Sequence, residues 1–178
     1  MENKELIKGS RLLLYEFERF IEMYDILFKV QSKQLKLNIP ITRTAVHESW
    51  VVHFRCLIYF LNPGRKDKRD ITLSDYLTEE EINELKVLFE NWQERQSWEE
   101  KANEQLAHIT WKRLEHNKSV AKKEWRFVEI TLKVNDLFCK FLELANNKNL
   151  CEGLIQFKAN PLILKYSQSD LDMTIGSL

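Results

Sequence analysis

Along the first third of the chain, apolar residues recur with a helical period. Leu13, Phe17, Phe20, Tyr24 and Leu27 fall at i, i+4, i+7, i+11 and i+14, and Leu14, Ile21 and Phe28 add a second stripe. A face that wide belongs to a bundle helix rather than a two-stranded coil. It places a first helix over residues 5–36, with Gly9 loosening its first turns. Asn38 and Pro40 break the chain, because the residue before a proline is pushed out of the helical region. A second helix over residues 42–61 carries Val46, Trp50, Phe54, Leu57, Ile58 and Leu61, and it stops at Asn62-Pro63-Gly64.

The segment ITLSDYL, residues 71–77, is half-apolar without a decided state. Thr78-Glu79-Glu80-Glu81 then has the form of a capping box. It opens a third helix with Ile82, Leu85, Leu88, Phe89 and Trp92 facing inward. Ser97-Trp98-Glu99-Glu100 repeats the pattern and marks the start of a fourth helix, or a kink, leading through His108. Asn117 and Ser119 signal a break, and a fifth helix over residues 121–145 carries Phe127, Ile130, Val134, Leu137, Phe141 and Leu144 as its stripe. Beyond it, LIQFKANPLILKY has no helical period and reads as a docked extended segment; from Ser167 onward the chain reads as frayed. The expected fold is all-α: an up-and-down bundle of about five helices over residues 1–146, with a C-terminal tail, 147–178, partly docked or flexible.

Composition supports this picture and removes some functions. With 178 residues the chain is long enough for one core, and only four glycines and three prolines leave few turns. Cations and anions balance at 27 each, which excludes a global charge argument for nucleic acid or membrane binding. Cys56, Cys139 and Cys151 contain no CxxC spacing and read as reduced thiols, with Cys56 and Cys139 buried and inert. MENKELIKGS lacks the apolar core of a signal peptide, and no apolar run reaches the roughly 20 residues of a membrane span. A cytoplasmic location is expected.

The candidate chemistry centres on KANEQLAHITWKR, residues 101–113. On an ideal helix Ala102, Leu106 and Ile109 share one face, while Lys101, Glu104 and His108 share another that Lys112 continues. Glu104, one turn from His108, would raise its pKa and orient its ring. The simpler interpretation of such a stripe is a solvated face with an i,i+4 pair.

This stretch, with HESWVVHFRCLIYFL upstream and EWRFVEITLKVNDLFCKFLE downstream, resembles the HEPN superfamily, and more narrowly the abortive-infection-type HEPN-like proteins of bacteria. The resemblance covers roughly residues 5–146 and is strongest over NEQLAHIT. It implies a helical bundle that pairs as a homodimer. It further implies a metal-independent RNase of the toxin–antitoxin or phage-defence kind, with RNA as substrate and a cognate antitoxin as partner. The family signature is an Arg, four to six intervening residues, and a His. His108 matches the His, but the three allowed Arg positions hold Asn103, Ala102 and Lys101. Under this resemblance His108 is the candidate acid/base for the ribose 2′-OH, with Glu104 beside it, and Lys101, Arg113 or the partner subunit must supply the cation that stabilises charge on the phosphate. Lys lacks the planar fork that grips phosphate bidentately. The alternative is a catalytically inactive HEPN-like bundle that serves as an interaction or nucleic-acid-binding module.

Charge is unevenly spread: residues 78–104 carry a net of −6, residues 111–126 a net of +4 and residues 65–69 a net of +3. Within the second run Trp111, Lys112, Arg113, Lys122, Lys123 and Arg126 are candidate nucleic-acid contacts, against the commoner role of solvated charge. Metal binding is not expected: His47 and His53 are six apart, His108 and His116 eight apart, and neither HxxxH nor HExxH occurs. His47 is expected to be a hydrogen-bonded structural histidine, and Arg55 to reach a carboxylate or a phosphate. The four scattered glycines form no phosphate cradle, so no cofactor is expected.

Overall fold

The computed structural model describes residues 3–36, 40–65, 70–107 and 125–160. The described residues hold six α-helices and two short 3₁₀ turns, joined by turns and loops, with no strand among them. The helices are α1 (Asn3–Gln31), α2 (Pro40–Phe60), α3 (Glu79–Asn91), α4 (Arg95–Ala107), α5 (Phe127–Leu144) and α6 (Glu152–Ala159).

The stripe expected on α1 is the buried one: Leu13, Phe17, Phe20, Tyr24 and Leu27 all face the core, with Leu14, Ile21 and Phe28 packed at its margin. The helix ends at Gln31, short of Lys36, because Lys33 takes a left-handed φ of 61° and the Leu35 N–H folds back onto the Lys29 carbonyl. Pro40 supplies the first residue of α2, where its missing N–H costs nothing. The two helices run antiparallel, since Glu16 meets His53 while Phe20 stacks on Trp50 at 5.3 Å. The C-terminal half of α2 is the more buried part, with Trp50, Val51, Phe54 and Ile58 fully enclosed, and Leu61 just past its end is enclosed too.

Helix α5 closes the core: Phe138 stacks on Phe17 at 4.1 Å, Phe141 meets Phe60 edge-on at 4.9 Å, and Phe127 meets Trp50 at 4.8 Å. It begins at Phe127; the expected earlier start, residues 121–124, and the break at Asn117 and Ser119 lie outside the described residues. ITLSDYL forms a 3₁₀ turn at Leu73–Asp75, where the Asp75 carboxylate accepts the Thr72 N–H at 2.8 Å. Tyr76 then donates its hydroxyl to the Leu6 carbonyl at 2.8 Å. Gly9 permits this approach rather than loosening the helix: a Cβ there would lie 2.6 Å from the Tyr76 hydroxyl.

Three local expectations differ from the structure. Leu88 is 42% exposed rather than inward, because Leu85, Phe89 and Trp92 already define the buried edge of α3. Ser97 does not cap α4; the helix starts at Arg95, where Arg95 and Gln96 bond Glu99 and Glu100 one turn ahead. Residues 152–159 are helical rather than extended. The buried Ser10 hydroxyl accepts the Cys151 N–H at 2.7 Å, Leu154 is fully enclosed, and Phe157 packs edge-on to Phe17. The Thr78 capping box forms as expected, with the Thr78 N–H donating to Glu81 at 2.7 Å. Residues 161–178 lie outside the described residues.

Candidate functional site

Helix α4 presents Lys101 and Glu104 and runs unbroken to Ala107, the residue before His108. Ala102 is fully buried, as the periodicity requires. Asn103 accepts a hydrogen bond at 2.6 Å from the Tyr59 hydroxyl, which ties α4 to the end of α2. His108 itself lies outside the described residues, as do Ile109, Trp111, Lys112, Arg113, His116, Lys122 and Lys123.

Lys101 does not simply point into water. Its ammonium lies 5.1 Å from the Trp98 ring centre and 4.8 Å from that of Trp125, with the two indoles stacked at 5.6 Å. A cation over an indole face is attracted by the ring quadrupole, by about 0.5–1 kcal/mol per ring at an exposed site and more when desolvated. The positive charge is therefore anchored to the aromatic cluster that also contains Trp50, Phe54 and Phe127.

His47 sits at the edge of the same cluster, edge-on to Trp125 at 6.0 Å and to Phe127 at 5.5 Å. Burial, then the charges of Lys101 and Arg43, push its pKa down to about 4, so the ring is neutral near pH 7. Its Nε2 is buried without a hydrogen-bond partner among the described residues. Three other described cations of the region are engaged. Arg95 pairs with Glu99 and lies over the Phe89 ring at 4.0 Å. Arg126, a candidate nucleic-acid contact, shares its guanidinium between Glu94 at 3.1 Å and Glu129 at 3.3 Å. Arg55 lies over the Tyr59 ring at 5.2 Å.

Elsewhere α1 and α2 are joined by a pair that sequence reasoning missed. His53 Nδ1 and a Glu16 carboxylate oxygen are 2.7 Å apart, and the imidazole is largely buried against Tyr15. The two residues are 37 positions apart, so no local spacing signals the contact. Cys56 is exposed rather than buried and Cys139 half-buried, leaving Cys151 as the enclosed thiol. Cys56 is nonetheless held as a thiol: partial burial of its sulfur, then the Glu16 carboxylate, push its pKa up to about 11. No group of three metal-ligating side chains occurs among the described residues, and no described helix is long and apolar enough to cross a membrane.

In comparisons with known proteins, no family model, no curated protein and no solved structure matches the chain significantly. The HEPN likeness therefore rests on the sequence segments quoted above.

Proposed function

We propose that the protein is a HEPN-like helical bundle of the bacterial defence type that engages RNA without cleaving it. The observation that carries this reading is the seat of Lys101. Of the three positions allowed to the family's Arg, it alone holds a cation, and that cation lies against both the Trp98 and the Trp125 rings. Moving it onto a scissile phosphate would forfeit both ring contacts, and an ammonium cannot replace the bidentate grip of a guanidinium. Arg95, the other described cation of α4, is paired with Glu99. Without a positioned cation among the described residues of α4, charge building on the phosphate draws no stabilisation from that helix, and losing such a cation removes orders of magnitude from a cleavage rate. The bundle would act as a homodimer in the cytoplasm, where its three free cysteines suit a reducing compartment, with RNA and a cognate antitoxin-type protein as partners.

The second reading, a metal-independent RNase with His108 as acid/base, is favoured by one observation. Helix α4 carries Lys101 and Glu104 without interruption to the residue before His108. Incubating wild type and His108→Ala with total RNA on a denaturing gel separates the two. Intact RNA with both proteins is expected. Fragments produced by the wild type and absent with His108→Ala would replace the first reading with the second.

A further inference from the structure

The outward face of α1 carries a pattern that the α4 region does not use. Lys4, Lys8, Arg11, Tyr15 and Arg19 follow one another at one-turn steps and fall within about 80° of arc on an α-helix. That arc lies opposite the buried stripe of Leu6, Leu13, Phe17, Phe20 and Tyr24. Lys4, Lys8 and Arg11 are exposed and form no ion pair or hydrogen bond among the described residues. Arg11 has no acid three or four positions away on either side, which is unusual for a helix in a chain of zero net charge. Beside these cations an open recess of about 430 Å³ is bordered by Asn3, Lys4, Ile7, Lys8 and Arg11.

The stripe continues into an aromatic platform. Tyr15 is 52% exposed, and the Arg19 guanidinium lies 5.8 Å from its ring centre. Glu18 and Glu22 follow, with Glu22 paired to Arg19 at 2.7 Å, so the uncompensated charge is confined to the N-terminal half of the helix. Cations at roughly one-turn intervals, about 4.5–6 Å apart along the axis, followed by an exposed ring, combine two requirements of a single strand: charge along the backbone and a face on which a base can stack.

We propose that this face of α1 binds single-stranded nucleic acid, with Lys4, Lys8 and Arg11 on successive phosphates and Tyr15 under a base. The occupant follows from charge complementarity and the ring. An acidic protein would use the cations but not the exposed ring, and a bilayer would need more apolar area than Leu12 and Tyr15 provide. The proposal shares a class of partner with the preceding reading but none of its residues.

The test is fluorescence anisotropy of the full chain with a labelled oligodeoxythymidine of about 20 nucleotides, which has no 2′-OH and so is blind to ribonuclease chemistry. Lys4→Gln/Lys8→Gln/Arg11→Gln is expected to weaken binding about tenfold or more. It should also flatten the slope of log affinity against log salt by about 2, since each single-strand phosphate contact contributes about 0.7. Tyr15→Ala is expected to weaken binding at least about fivefold, with Tyr15→Phe restoring it. All four positions are exposed, and unchanged circular dichroism would confirm intact helices. The proposal is overturned by any of three results: no binding at low salt, equal loss in Lys36→Gln/Lys86→Gln/Lys133→Gln, or displacement of the oligonucleotide by polyglutamate as effective as by unlabelled strand. Failure here leaves the His108 cleavage comparison untouched, and cleavage there leaves this binding face untouched.

Discussion

Buried Ser10 and half-buried His47 show how single groups decide local structure. Ser10 donates to the Ile7 carbonyl at 2.8 Å and accepts the Cys151 N–H at 2.7 Å, so one hydroxyl fixes where α6 meets α1. Ser10→Ala leaves the buried Cys151 N–H without that acceptor. Urea unfolding is expected to show a loss of about 1–3 kcal/mol, the cost of a stranded buried donor. His47 acts through its charge state. Its folded pKa of about 4 lies below the ordinary value of 6.5, so the unfolded chain takes up the proton first as the pH falls. Its contribution is complete above pH 6.5, declines through the window from 6.5 to 4 and is gone below it, amounting to about 3 kcal/mol at most. His47→Phe keeps the ring contacts to Trp125 and Phe127 and is expected to flatten the stability–pH curve across that window. A variant as acid-sensitive there as the wild type would contradict the assignment.

Among the elements, the docking of the α2–α3 connection on α1 depends on a missing side chain. Gly9→Ala gains up to about 1 kcal/mol of helix propensity. Against that, the new methyl displaces the Tyr76 hydroxyl from the Leu6 carbonyl and crowds Ile71, whose Cδ1 would lie 3.0 Å away. The second effect is expected to win, with a net destabilisation of about 1–2 kcal/mol. In a Tyr76→Phe background the clashing oxygen is gone, and Gly9→Ala is expected to become much less costly; a double-mutant cycle by chemical denaturation measures the difference. The elements legible in the sequence are those with long apolar stripes: α1, α2 and α5 each repeat their period for several turns, and the buried residues match it. Shorter elements were less legible for physical reasons. Helix α6 spans eight residues, too few to establish a period, and is held by tertiary contacts to Ser10 and Phe17. The start of α4 is drawn to Arg95 by ion and amide pairs that outweigh the cap signal at Ser97.

At the scale of the molecule, α1 and α2 form an antiparallel pair on which α5 and α6 close one side, while α4 packs against α2 beside Trp125. Periodicity placed Lys101 and Glu104 on one stripe of α4, but it could not show what Lys101 faces. Trp125 lies 24 positions further along the chain and reaches Lys101 only through the fold. That contact makes a candidate catalytic cation part of an aromatic cluster, and under the proposed reading it is what leaves bound RNA uncleaved. If that contact governs the site, restoring an arginine in place does not restore cleavage, because the new guanidinium stacks on the same two indoles.

The most direct measurement runs each binding reaction on paired native and denaturing gels, using labelled RNA with the wild type, Lys101→Arg and Lys101→Arg/His108→Ala. The account predicts a retarded band on the native gel and full-length RNA on the denaturing gel for all three. RNA fragments that appear with the wild type or Lys101→Arg and vanish when His108 is replaced would contradict it, as would the absence of any retarded band.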